Sequence, residues 1–64
     1  MPSAEIAGPK IESIETKRVL VKEVTDAMEK AYGFPKPAYI VTIIETAAEN
    51  VGIGGELLAD RLKK

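Results

Sequence analysis

The 64-residue chain holds no histidine and no cysteine. That removes thiolate nucleophiles, the usual zinc ligand sets and any Ser-His or Cys-His relay. A different proton carrier stands at the start, where the sequence reads MPSAEI. Removing Met1 would turn the Pro2 ring nitrogen from an amide into a secondary amine that can take a proton. A free α-amine ionises near about 7.7 to 8.0, and apolar burial or nearby positive charge lowers that value toward neutrality, where a general base works best. Pro2 could then move a proton between two atoms of a substrate, the task histidine usually performs. Proline is about one residue in twenty of average sequence, so the position alone carries little weight. The elements around it decide.

Ser3 to Ile6 alternates weakly, as a short strand, and Gly8-Pro9 ends it because Pro9 has no N–H for a ladder. Ser13 is placed to cap a helix over Ile14 to Tyr32, with Gly33 as its stop. At 100° per residue Leu20, Val21, Val24, Ala27, Met28 and Ala31 share one stripe with Ile14 and Tyr32, while Arg18, Lys22, Asp26 and Glu29 lie off it. Lys17 falls inside the stripe at the first turn, where its stem can lie on apolar surface while the ammonium reaches the rim. Tyr39 to Glu45 is the strongest strand, rich in β-branched residues. Its two faces, Ile40/Thr42/Ile44 and Tyr39/Val41/Ile43, are both largely apolar, so one can take the helix and the other needs a different cover. Strand, helix and strand of these lengths make a right-handed βαβ unit with parallel strands, an α+β fold in a single domain over residues 1–64. Val51 to Gly55 reads as a turn or hairpin, and Glu56 to Lys64 as a short helix or arm.

A domain this small buries only roughly 60% of its unfolded surface. Without disulfides or a metal, oligomerisation is the remaining source of core. The formal net charge of -1, with acids and bases interspersed, offers no field for a phosphate backbone, so a nucleic-acid partner is not expected. No apolar run is long enough to span a bilayer and no secretory pattern opens the chain, which predicts a soluble cytoplasmic protein. The glycines at Gly52 to Gly55 lack the lysine spacing of a phosphate loop. No metal or cofactor is expected.

Pro2 after Met1, the helix entry Ser13-Ile14-Glu15-Thr16-Lys17, the strand Ile40 to Glu45 and the segment Gly52-Ile53-Gly54-Gly55-Glu56-Leu57 stand together in register. In these residues, over essentially its whole length, the chain resembles the 4-oxalocrotonate tautomerase family. Ala48 to Gly52 and Leu58 to Arg61 are similar to a branch of short archaeal homologues. The resemblance implies a βαβ monomer that pairs into a four-stranded sheet with two helices on one face, and three such dimers in a hexamer. It also implies a glycine-containing hairpin reaching a neighbouring subunit, and a cofactor-free enzyme. That enzyme would shuttle a proton between enol and keto forms of a small 2-keto acid or related enol, with Pro2 as general acid/base.

At the positions where well-studied members carry two arginines and a phenylalanine, this chain has Glu12, Ile40 and Val51. A dicarboxylate substrate therefore loses its expected cations. Ile40 and Val51 remain as matched substrate-binding positions, with Lys10 and Lys17 as candidate replacement cations. The plainer readings are a solvated loop lysine for Lys10 and a snorkelling helix-edge side chain for Lys17. Lys36 and Arg61 read as surface charge, and Tyr39 as a rim aromatic at a contact between subunits. Two alternatives stand beside the tautomerase: a non-catalytic oligomeric module of the same fold, and hydratase or dehalogenase chemistry using a protonated proline.

Overall fold

A computed structural model describes residues 1–63. Strand β1 (Ser3–Gly8) leads into helix α1 (Ile14–Tyr32), and strand β2 (Ile40–Glu45) returns parallel to β1, with Ser3 opposite Ile40 and Gly8 opposite Glu45. The ladder continues past both strand ends, where the Ile40 amide donates to the Pro2 carbonyl at 3.1 Å and the Thr46 amide donates to the Gly8 carbonyl at 2.8 Å. β1 therefore runs two residues beyond the expected Ile6. Neither Ala7 nor Gly8 opposes a ladder, and the missing N–H of Pro9 ends it one residue later.

Helix α1 begins and ends as its sequence directs. The Ser13 hydroxyl accepts the Thr16 amide at 3.3 Å, and Gly33 takes the left-handed conformation, φ 78°, while its amide donates to the Glu29 carbonyl at 2.8 Å. The chain then makes a 3-10 turn at Lys36–Ala38 before β2. After β2 and a second 3-10 turn at Ala48–Asn50, strands β3 (Gly52–Ile53) and β4 (Glu56–Leu57) form an antiparallel hairpin. Gly54 and Gly55 at its tip both have positive φ, 61° and 86°, as a two-residue type I′ connection demands. Helix α2 (Leu58–Leu62) follows. It starts two residues later than the expected Glu56 because Glu56 and Leu57 are used by the hairpin. Lys64, the end of the expected arm, lies outside the described residues.

The helix covers one face of the sheet. Along β1 and β2, Ala4, Ile6, Val41 and Ile43 are half-buried, while Ser3, Glu5, Ala7, Ile40, Thr42 and Ile44 on the other face are exposed. Only Tyr39 counts as buried among the described residues. The chain spans 45 × 25 × 14 Å and has a radius of gyration of 15.1 Å, against about 11 Å for a compact domain of this length. Its surface of 5031 Å² exceeds the about 4,000 Å² of a compact monomer of this mass. Ile40, Ile44, Ile53, Leu57 and Leu62 are among the large apolar side chains left exposed.

Tyr39 differs from its expected place at a subunit rim. Its hydroxyl accepts the Phe34 amide and donates to the Phe34 carbonyl, both at 2.9 Å, and its ring lies 6.4 Å from that of Tyr32. Two open donor and acceptor groups of one turn peptide are a closer destination for the phenol than a neighbouring chain. Lys36 closes the same turn from outside, reaching Asp26 at 2.7 Å and Glu29 at 3.0 Å on α1. Asp26 also accepts Lys22 at 2.9 Å. Hydrogen bonds from Lys36 and then Lys22 hold its carboxyl down at about 2.

Gly33→Ala is expected to lower stability by on the order of 1 kcal/mol, because alanine resists the left-handed conformation. Gly8→Ala has ordinary φ and no atom within 4 Å of the added methyl group, so it should change far less. Denaturant unfolding of both variants at one protein concentration measures the contrast. Asp26 supplies a second expectation. Its depressed ionisation makes its stabilising contribution complete above the unfolded value of about 3.9, and that contribution is lost as pH falls through about 2. A carbon NMR titration should find the Asp26 midpoint near 2, and Lys36→Ala should raise it.

Candidate functional site

Pro2 sits at the head of β1, half-buried, with its carbonyl held by the Ile40 amide. It stands one residue before the Ser3–Ile40 pair that opens the ladder register, as Tyr39 does on the other strand. Ile40, the first residue of β2, turns its side chain to the uncovered face and is 48% exposed. The structure therefore brings two of the sequence-selected residues, Pro2 and Ile40, together at one end of the sheet. Met1 precedes them and projects into solvent.

The other selected residues gather at the opposite end. Lys17 leaves the first turn of α1 and meets Glu45, the last residue of β2, at 2.8 Å. The same Glu45 oxygen accepts the Ile11 amide at 3.0 Å. The Lys17 ion pair, and then this amide, lower the ionisation of the Glu45 carboxyl. Lys10 is exposed on the connection between β1 and α1, close enough to add a smaller electrostatic pull on Glu45. Glu12 is also exposed there. Val51 is half-buried and lines an apolar cleft of about 350 Å³ with Ala7, Pro9, Leu58 and Leu62. A second, shallower groove of about 390 Å³ runs along α1 past Ile14, Lys17 and Val21. Pro2 lines neither.

The separation of the two ends follows from parallel strands. Ile40 to Glu45 is five steps of about 3.3 Å, so Pro2 and the lysines of one chain stand roughly 16 Å apart. A small molecule bound at Pro2 cannot also touch Lys10 or Lys17 of the same chain. Two strands joined head to tail with a second copy would bring one copy's Pro2 end beside the other's lysine end.

Glu45 is the residue whose role the sequence reading did not assign, and Tyr39, expected at a rim between subunits, has a backbone partner instead. A signal for Glu45 was present: Lys17 lies inside an apolar stripe, and a lysine held there needs a counter-charge. Only a strand end at the height of the first helical turn can supply it. The Tyr39 contact has no such signal, because its partner is a backbone peptide.

Comparisons with known proteins agree with this architecture. A family model described as Tautomerase enzyme matches residues 2–61. A 2-hydroxymuconate tautomerase of Pseudomonas putida is 39% identical over 57 residues, covering 89% of this chain and 90% of that protein. Among solved structures, one from the 4-oxalocrotonate tautomerase isozymes of Methylibium petroleiphilum has 38% identity and a TM-score of 0.79, covering 91% of this chain and 94% of that one. DmpI from Archaeoglobus fulgidus has 39% identity and a TM-score of 0.82, covering 92% and 100%. With that match running nearly end to end over a βαβ core and its glycine hairpin, the chain belongs to the tautomerase family.

Proposed function

We propose that the protein is a cofactor-free tautomerase acting on a small enolisable 2-keto acid or related enol, with Pro2 as the general acid/base once Met1 is removed. The observation that carries this reading is the family match from residue 2 onward, combined with a Pro2 whose backbone is already anchored at the head of the sheet. In the reaction the Pro2 nitrogen takes the enol O–H proton, the oxygen lone pair closes to C=O, and the displaced C=C pair takes a proton back from the nitrogen at carbon. Atoms and electrons balance without an oxidant or a metal. General acid–base catalysis of this kind contributes about 10²- to 10⁴-fold.

The substrate groups follow from the two ends of the sheet. Ile40, one residue along the ladder from Pro2, offers apolar surface on the open face of the sheet at the same end. Lys10, Lys17 and Val51 come from the far end of a second copy, with Lys10 as the partner for a substrate carboxylate and Lys17 beside it, engaged by Glu45. This requires a homo-oligomer, and the hexamer known for the family is the assembly we propose. The exposed Ile40, Ile44, Ile53 and Leu57 supply apolar area for such contacts. Glu12 opposes a second carboxylate, which favours a substrate with at most one.

Blocking the amine tests the catalytic assignment. Inserting a leucine between Met1 and Pro2 leaves the proline nitrogen an amide, and turnover of phenylenolpyruvate is expected to fall by roughly a hundredfold or more. Unchanged turnover sinks the assignment. The pH dependence separates base from acid: kcat/KM rising with pH through one ionisation marks Pro2 as the base, and kcat/KM falling marks the protonated proline of hydratase chemistry. For the assembly, Ile44→Asp is expected to shift sedimentation toward smaller species and remove activity together.

A further inference from the structure

The loop between α1 and β2 is held more firmly than a connection of its kind requires. Two side chains tie it down. Tyr39 donates to and accepts from the same Phe34 peptide, and Lys36 reaches two carboxylates of α1. The three aromatic side chains of the chain all lie here, with the rings of Tyr32 and Phe34 6.3 Å apart and nearly parallel. Helix termination at Gly33 needs none of these contacts, since its cap is complete in the backbone. Tyr39 is also the only buried residue among the described ones. Its geometry bears on what comes next in the chain and in space, which is Ile40 and, across the ladder, Pro2.

We propose that Tyr39 is a positioning residue for Pro2: by clamping the Phe34 peptide it fixes the start of β2, and the start of β2 fixes the direction of the Pro2 nitrogen. The proposal rests on the catalytic reading of Pro2 given above. The link is short. Tyr39 and Pro2 each stand one residue before the Ser3–Ile40 pair that opens the register, and the amide of Ile40 holds the Pro2 carbonyl. In a parallel ladder a residue turns its nitrogen and its carbonyl toward the same neighbouring strand, which aims the Pro2 nitrogen toward the Ala38–Tyr39 peptide. A chain that begins at Pro2 has no preceding residue to hold that ring. Its orientation then depends on the Ile40 amide, and the Ile40 amide on the Tyr39 clamp. Misplacement of a reacting group by about 1 Å can cost as much as a hundredfold, so a loop that drifts by a fraction of that is felt in turnover.

Tyr39→Phe removes the clamp and keeps the ring in place. In the chain beginning at Pro2, it is expected to lower kcat for phenylenolpyruvate about tenfold with KM within about twofold. The Pro2 nitrogen, followed by nitrogen NMR, should titrate closer to the ordinary α-amine range of about 7.7 to 8.0, because the freed terminus is better hydrated. A loss of packing alone would lower the melting temperature and leave that midpoint where it was. Lys36→Ala loosens the same loop from its exposed side and should shift kcat and midpoint in the same direction, by less. Phe34→Ala keeps the peptide and should change neither. Wild-type kcat and an unmoved nitrogen midpoint in both Tyr39→Phe and Lys36→Ala overturn the proposal. Failure of the catalytic reading looks different: the leucine-inserted chain stays active, while the nitrogen midpoint still reports whether Tyr39 places the ring.

Discussion

One helix laid on a two-stranded sheet can cover one face and no more. Here that geometry leaves a body 14 Å thick, hardly more than the diameter of a single helix with its side chains. Such a layer has no interior in which a side chain is surrounded on all sides. It explains why Tyr39 alone is buried among the described residues and why Ile40 and Ile44 stand open on a β-branched strand. The excess of roughly 1,000 Å² over a compact monomer is surface that a second chain can remove from water. At about 25 cal/mol per Å² of apolar area, burial of even half of it would match the whole stability of a small domain. Folding and association are therefore hard to separate for this chain.

The same constraint decides where chemistry can occur. An amine in open water keeps its ordinary ionisation, and a low-dielectric pocket is needed to move it. No single copy encloses Pro2. The ladder bond to Ile40 holds its backbone, but the walls around the nitrogen have to come from elsewhere. Parallel pairing adds a second requirement by sending Pro2 to one end of the sheet and Lys10 and Lys17 to the other. A head-to-tail arrangement of copies meets both requirements at once, since each copy's charged end closes the other's proline end. Oligomerisation and catalysis are in this view a single problem with one solution.

Much of this was legible in the sequence because the signals are local. Ser13 and Gly33 bound α1 by backbone hydrogen bonding within one turn, and Ile40 to Ile44 specify a strand through β-branching. The open second face was legible too, from two apolar faces on one strand. What escaped depends on partners far away in sequence. Glu45 meets Ile11 and Lys17 across 34 and 28 positions, and only the parallel register brings them together. Tyr39 read as an interface aromatic, since its side chain carries nothing to announce a backbone partner. The turn or hairpin expected at the glycines is a hairpin, and Glu56 and Leu57, expected in a short helix or arm, form its return strand because the turn that Gly54-Gly55 imposes overrides their helical propensity.

The two candidate cations are not equivalent. Lys17 already has a carboxylate at 2.8 Å, and both side chains are largely covered. A substrate carboxylate that took Lys17 would leave Glu45 with only the Ile11 amide, and separating a part-buried pair by removing one partner is unfavourable. The substrate's gain would be offset by that loss. Lys10 is exposed, and no ion pair engages it among the described residues. An arriving anion meets it without breaking anything. Glu45 then acquires a distinct part, holding Lys17 and the Ile11 amide so that the short connection carrying Lys10 keeps its shape. On the reading proposed above, one unengaged lysine on a braced loop stands where two arginines would be, which is enough charge for a monoanion and too little for a dianion.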